Sequence, residues 1–337
     1  MHGRLKWFVI PLHKMRKVVI TGGSGFIARY FIEKLPHFNL VNLDIRAPAF
    51  ESHATFMKGD IRNQEDVEKA MAGADMLIHL AAMHHDFGIS EEEYFNTNVN
   101  GARLLADAAE RFGAKTIVNF SSVAVYGKMG DPGPTNEETP TTPTNAYGQS
   151  KLAAESIFRD WVKGDPSRIL INVRPTVVFG PWNLANVLNL IQAIDKGYFV
   201  HVGKGDNIKS IAYVENLVDA TLFALEKTQS GECLFNYSDG PPMTIRQTSE
   251  LQASLLGKRI RFNLPLWLML ILSKPFDLFI WLSGKNLKIS SARIRKLCTQ
   301  TWHSANRIRE MGFVPAYSIH YGMDQMIRWY RKPIKND

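Results

Sequence analysis

The run Lys17-Val-Val-Ile-Thr21 is apolar and β-branched, stops at Gly22-Gly23-Ser24-Gly25, and gives way to Phe26 to Leu35, where apolar residues recur at helical spacing. A strand that turns into a helix through glycines constrains the fold more than any other stretch of the chain. Glycine permits the tight turn, and the helix N-terminus behind it offers backbone N–H groups to a pyrophosphate. A second run, Leu40-Val-Asn-Leu-Asp44, ends in an acid. There a carboxylate accepts hydrogen bonds from an adenosine ribose and repels a 2′-phosphate. Gly22, Gly25, Phe26, Ile27 and Asp44 are therefore expected to contact a dinucleotide, NAD rather than NADP. Arg46 weighs the other way, and a plain turn aspartate is the alternative for Asp44.

Further strands are expected at Ala54 to Met57, Met76 to Leu80, Thr116 to Phe120 and Ile169 to Val173, with helical stretches between most of them. Repeated alternation predicts right-handed crossovers and an α/β fold with a doubly wound parallel (Rossmann) sheet, ligands sitting at the carboxyl ends of its strands. Asp60-Ile61 follows the third strand, where the acid would meet an adenine amino group and Ile61 cover the ring; a solvated turn aspartate is the alternative. After Arg174-Pro175 the pattern loosens at Gly180-Pro181, Gly203 to Gly205, Gly240-Pro241-Pro242 and Pro265. The expected organisation is a flexible extension over 1–14, an NAD-binding domain over 15–175, and a smaller mixed substrate lobe over 176–330 with segments returning to the sheet. The first fourteen residues have a short apolar run broken by Pro11 and no convincing cleavage site, and Met15 is an alternative start.

Tyr147-Gly-Gln-Ser-Lys151 sets a phenol and an ammonium four residues apart, on one face if the stretch is helical. A cation beside it favours the tyrosinate and brings the phenol toward proton exchange with an alcohol or ketone. The same spacing arises by chance on ordinary helices, so the pair gains meaning only from the glycine loop upstream. With 45% hydrophobic and 21% charged residues the chain reads as a soluble globular protein. Its two cysteines, Cys233 and Cys298, lie far apart without a CxxC, which argues against disulfides and zinc and fits a reducing cytoplasm. The net charge is +8, and the Lys and Arg residues are spread along the chain without a long basic tract or an aromatic RNA-binding signature. Nucleic acid is not expected as a partner; the surplus suits an anionic small molecule or a membrane surface.

With these residues in hand, the chain resembles the extended short-chain dehydrogenase/reductase family over about residues 16 to 330, in particular its nucleotide-sugar epimerase, dehydratase and reductase branch. The resemblance rests on Thr21 to Ala28, Gly59-Asp60-Ile61, His79-Leu-Ala-Ala82, Asn98-Val-Asn-Gly101, Ser121-Ser-Val-Ala-Val-Tyr-Gly127, Tyr147 to Lys151, Arg174-Pro175 and Phe179-Gly-Pro181. Ala28 stands where the family usually has a third glycine. The resemblance implies Tyr147 as catalytic acid/base, Lys151 as its electrostatic partner and a ribose ligand, and Ser122 as the hydroxyl that orients substrate. It implies Ala81 as a cofactor contact, Asn98 as a brace, and His84 near the substrate mouth. His84-His85-Asp86 invites a metal, yet no companion ligands appear at useful spacing, and none is expected.

For chemistry, the resemblance implies an NAD-dependent epimerase that oxidises a sugar hydroxyl, commonly at C4, and returns the hydride to the opposite face of a keto-sugar. Val123-Ala124 replace the acidic pair usual in family dehydratases, which disfavours dehydration, while reduction of a 4-keto sugar would use the same residues. Lys209 occupies the place of a pyrophosphate-binding arginine, without its bidentate fork. Asn183 and Asn186 are placed to reach substrate or to cap a helix. The expected partner is a nucleotide-diphosphate sugar, and a homodimer is expected. The apolar runs Leu264 to Leu272 and Phe276 to Leu282, split by Lys274-Pro275, raise a rival: an interfacial hairpin with peripheral membrane contact, similar to the 3β-hydroxysteroid dehydrogenase branch that acts on lipid alcohols. Buried core or dimer contacts explain the same runs.

Overall fold

Alternation of strand and helix builds a seven-stranded parallel sheet in the computed structural model, which describes residues 17–84, 88–127, 133–283, 287 and 290–332. The expected extension over 1–14, Met15, His85 and Asp86 lie outside the described residues. In chain order the first half comprises β1 (Lys17–Thr21), α1 (Phe26–Lys34), β2 (Asn39–Asp44), β3 (Thr55–Lys58), α2 (Gln64–Met71), β4 (Met76–His79), α3 (Glu91–Phe95), α4 (Gly101–Arg111), β5 (Thr116–Phe120), α5 (Ala146–Lys163) and β6 (Ile169–Pro175). There follow β7 (Val177–Phe179), α6 (Asn186–Asp195), β8 (His201–Val202), β9 (Ile211–Tyr213), α7 (Val214–Lys227), β10 (Gly231–Tyr237), α8 (Ile245–Leu256) and β11 (Asn263–Leu264). The chain closes with α9 (Leu266–Leu272), α10 (Lys274–Ser283), α11 (Ser291–Cys298), α12 (Asn306–Glu310) and α13 (Ile319–Arg331).

The sheet runs β10-β6-β5-β4-β1-β2-β3, every neighbour parallel. Its order turns between β1 and β4, the switch point where such folds open a crevice at the strand ends. Each face carries its own core. Phe31 of α1 and Leu217 of α7 lie in one, Val67 of α2, Leu105 of α4 and Phe158 of α5 in the other. Strands β4 and β5 are buried along their whole length, as strands covered on both faces must be, which is why they read as continuous apolar runs. The expected fold class is found.

Beyond β6 the chain forms two short parallel pairs, β7 with β9 and β8 with β11, and β10 returns to the sheet as the edge strand beside β6. The apolar runs near the C-terminus differ from the expected hairpin. Ser273, the residue between α9 and α10, keeps a helical backbone (φ −83°, ψ −14°), so Leu266–Ser283 continues in one direction as 18 residues of helix. Pro275 does not break it, because the first turn of α10 is where a missing N–H is tolerated.

Candidate active site

Parallel register brings the site together. Thr21, Leu43, His79, Asn119 and Asn172 lie in one row across β1, β2, β4, β5 and β6. The glycine loop, Asp44, Ala81 and Ser122, each one to four residues past that row, therefore leave the sheet on the same edge.

At the loop, Gly22 adopts φ +67°, and a Cβ there would stand 2.8 Å from the Ala81 backbone nitrogen. Only glycine lets β1 turn this close to the segment after β4. Gly25 ends the loop in extended backbone and starts α1 without a side-chain cap. The first-turn N–H groups of Phe26 and Ile27 thus lack an intrahelical carbonyl and a side-chain cap, which leaves donors for a pyrophosphate, and these residues fit a dinucleotide. Asp44 accepts from the Ser24 N–H through Oδ2 and from the Arg46 N–H through Oδ1, both at 3.1 Å. Its carboxylate is thereby fixed beside the glycine loop, combining the turn role with a position suited to a ribose.

Asp60 is engaged locally: the Arg62 guanidinium donates to both its oxygens and holds its carboxyl below the usual range. Ile61 is a core residue, 5% exposed, against which Gly101 packs so tightly that a Cβ there would meet Ile61 Cδ1 at 2.8 Å. Ala81 N–H donates to Thr21 Oγ1, which also shares a hydrogen with His79 Nδ1 at 2.8 Å. Burial, and then the Lys151 charge, push the His79 imidazole down to about 3, so it is neutral. Asn98 sits in a wide helical turn over Asn96–Asn100. Its amide bonds the backbone of Met83 in both directions and donates to Ser150 Oγ at 2.9 Å. Ser150 in turn donates to the Tyr147 carbonyl, so Asn98 braces the segment after β4 against α5.

Tyr147 and Lys151 lie in the first two turns of α5, on one face as expected. Asn145 caps this helix by accepting from the Gly148 N–H at 2.8 Å. Gly148 meets the short turn Val123–Tyr126, where a Cβ would stand 2.5 Å from the Ala124 carbonyl oxygen. Ser122 opens that same turn, its Oγ accepting from the Ala124 N–H at 3.1 Å. Glycine between the tyrosine and the lysine is thus what lets α5 approach the Ser122 turn. The Tyr147 ring, half-buried, lies against Tyr94 with centroids 6.1 Å apart.

Lys151 is 2% exposed, and burial pushes its ammonium down to about 8 against the opposing pull of Glu155. Glu155, one turn on and wholly buried, accepts from the Arg174 fork at 2.8 and 2.6 Å. Arg174 also donates to the Tyr126 hydroxyl, which donates to Asn236 Oδ1. This chain of bonds fastens α5, β6, the Ser122 turn and β10 to one another behind Lys151. Glu155 escaped the sequence reading because a helical acid four residues after a lysine looks like an ordinary surface pair.

The residues expected on the substrate side are placed differently. Asn183 is spent inside its loop, donating to the Val178 carbonyl and accepting from the Ala185 N–H, and α6 begins without a side-chain cap. His84 is exposed and its Nδ1 lies 3.1 Å from the Ala82 carbonyl. Lys209 donates to the Lys296 carbonyl at 2.7 Å; burial, then the neighbouring Lys296 charge, push it down to about 8. A desolvated cation of this kind suits a diphosphate. Among the described residues no group of three His, Cys, Asp or Glu side chains is placed to hold a metal.

The model of the NAD dependent epimerase/dehydratase family matches residues 18–237, from β1 through β10. The chain belongs to this family. It is an NAD-dependent enzyme of the extended short-chain dehydrogenase/reductase type. N-acetyl-alpha-D-glucosaminyl-diphospho-ditrans,octacis-undecaprenol 4-epimerase of Escherichia coli O157:H7 is 36% identical over 323 residues, covering 95% of this chain and 97% of that protein. The 3beta-hydroxysteroid-dehydrogenase/decarboxylase isoform 1 of Arabidopsis thaliana is 26% identical over 93% of this chain and 79% of its own length. Among solved structures, UDP-glucose 4-epimerase of Thermus thermophilus in complex with NAD superposes with a TM-score of 0.72 at 19% identity, over 94% of this chain and 100% of that one.

Proposed function

We propose that the protein is an NAD-dependent 4-epimerase of a diphosphate-linked sugar. The observation that carries this reading is the likeness, over nearly the whole of both chains, to an epimerase whose sugar is joined through a diphosphate to undecaprenol. What NAD supplies when bound is reversible hydride exchange at a sugar carbinol carbon, which inverts that carbon when the hydride returns to the opposite face. Tyr147 takes the hydroxyl proton as the carbonyl forms and gives it back as the alcohol reforms. Lys151, a cation one turn away in a dry setting, favours the tyrosinate. Ser122 is positioned to hold the reacting oxygen. Gly22, Gly25, Phe26, Ile27, Asp44 and Ala81 are assigned to the cofactor, Asp60 and Ile61 to the rim of its adenine site, and Lys209 and His84 to the substrate side. Asp44 favours NAD over NADP. The carrier of the sugar is a nucleotide or a polyprenol, and Lys209 suits the diphosphate common to both.

A second reading, oxidation of a sterol or other lipid alcohol, is favoured by the sterol dehydrogenase relative and the apolar 264–282 segment. The two separate on one experiment. The enzyme is incubated with NAD and, in turn, N-acetylglucosaminyl-diphosphoundecaprenol, UDP-N-acetylglucosamine and a 3β-hydroxysterol, following product stereochemistry and NADH. The 4-epimer without net NADH supports the proposal; stoichiometric NADH from the sterol alone overturns it. Tyr147→Phe should lower turnover by roughly 10²- to 10⁴-fold while NAD still binds, and undiminished turnover removes Tyr147 from the mechanism.

A further inference from the structure

The helical segment Leu266–Ser283 leaves most of its apolar surface uncovered. Its inner side carries Ser273, 1% exposed, beside half-buried Met269, Leu270 and Ile280, and half-buried Asp277, whose Oδ1 accepts from the Ser291 N–H at 2.9 Å and ties α10 to the start of α11. Its outer side carries Trp267, Ile271, Leu278, Trp281 and Leu282, spaced as one helical stripe and between 56% and 78% exposed. Neither α9 nor α10 contains a buried apolar residue. Soluble monomers rarely present so continuous an apolar surface, and its usual meaning is an interface.

The helix is long enough, at about 27 Å, to cross a bilayer, yet both its flanks belong to one globule. Asn263 pairs with His201 before it, and Thr301 pairs with Lys209 and His303 with Thr135 after it. A single crossing would put these partners on opposite sides of a membrane. The helix therefore lies flat against the protein with its apolar stripe outward.

Charge decides what covers it. Nine of the chain's 40 Lys and Arg residues, and one of its 32 Asp and Glu, Asp277, lie between Lys258 and Lys296. This one segment thus carries the whole formal net charge of +8, and the rest of the chain is neutral. Lys258, Arg259, Arg261, Lys274, Arg295 and Lys296 are exposed around the stripe. Beside it a cleft of about 530 Å³ is lined by Arg246, Lys258, Arg259 and Arg261 with a single acid, Glu250. A second copy docking the same face would bring two such basic collars together, and like charges oppose that pairing. Anionic headgroups neutralise the collar while acyl chains receive the stripe.

We infer that Leu266–Ser283 and its basic collar form a docking surface for a bilayer rich in anionic phospholipid, the helix lying in the plane of the interface. The inference does not rest on which sugar or carrier the enzyme uses. The full chain is floated with vesicles of phosphatidylglycerol in phosphatidylcholine and with phosphatidylcholine alone. Binding is expected to the first, reduced by salt, and at least about tenfold weaker to the second. Leu278→Ser with Trp281→Ser, and separately Arg259→Gln with Arg261→Gln, should each weaken it by roughly tenfold or more. NAD binding and the melting temperature, unchanged in both double variants, keep the reading free of misfolding and of the epimerase assignment. No enrichment on phosphatidylglycerol vesicles overturns the inference, as does binding that the Leu278 and Trp281 double variant leaves intact, or a solution dimer that this variant splits.

Discussion

Lys151 carries its charge in a place that disfavours charge. Burial brings its ammonium from the ordinary 10.5 down to about 8, because the nearest carboxylate, Glu155, is already claimed by Arg174. For a base the sign is clear: below about pH 8 the folded ammonium is held at a loss relative to the unfolded one, and stability rises as pH climbs from about 8 toward 10.5. Lys151→Met should therefore stabilise the cofactor-free protein at pH 7, on the order of 1–3 kcal/mol, while lowering turnover by roughly 10²-fold or more. Thermal melting and steady-state kinetics on the same preparation check both halves; a variant that melts earlier would make Lys151 a structural residue. Asp44 gives the second prediction at this scale. Its two backbone partners fix the carboxylate beside the glycine loop, so Asp44→Ala should weaken NAD by roughly tenfold and narrow the gap to NADP. Titration with both dinucleotides reads the result, and an unchanged preference removes Asp44 from selection.

Elements meet in this site through glycines. The first turn of α5 reaches the Ser122 turn because Gly148 has no Cβ to strike the Ala124 carbonyl, 2.5 Å from where one would stand. Gly148→Ala must push the two apart, moving Tyr147 away from Ser122. Turnover should fall by roughly 10- to 100-fold and stability by about 1–3 kcal/mol, measured as kcat and a denaturant midpoint; kcat left whole would mean that the turn yields without disturbing the pair. The same elements show what a sequence reveals. Strands β1 and β5 were legible to the residue because their apolar runs and flanking turns are local signals, and the tyrosine and lysine faced one way because helical spacing requires it. Strand β10 has no local mark, since Gly231–Tyr237 has no clean alternation and is recruited by β6, some sixty residues upstream. Glu155 has no local signature either: its meaning comes from burial against Arg174 across the α5–β6 connection. The basic surplus, in contrast, was in the sequence all along, and became informative only once the helix it surrounds was seen to face outward.

Across the whole molecule, one buried carboxylate fastens the smaller lobe to the sheet. Asp239 accepts from the Tyr213 N–H at 2.6 Å, where β9 runs into α7, from Asn216 Nδ2 at 2.9 Å, and from the Tyr237 hydroxyl at 2.9 Å, where β10 ends. Asn216 extends the contact by bonding the Tyr317 backbone in both directions, just ahead of α13. Burial outweighs these donors and pushes the Asp239 carboxyl up from 3.8 to about 6. A raised carboxyl means that the fold keeps a proton which the unfolded chain has lost between about pH 4 and 6. The contribution of Asp239 to stability is thus greatest at the acid end of that window and falls as pH rises through it, by on the order of 2–3 kcal/mol. Asp239→Asn removes the titration and one acceptor oxygen. Its deficit against the parent protein should be larger at pH 4.5 than at pH 7, in paired chemical denaturations at the two values. A deficit that stays constant across the window would mean that Asp239 is ionised throughout, with the donors from β9, α7 and β10 outweighing its burial.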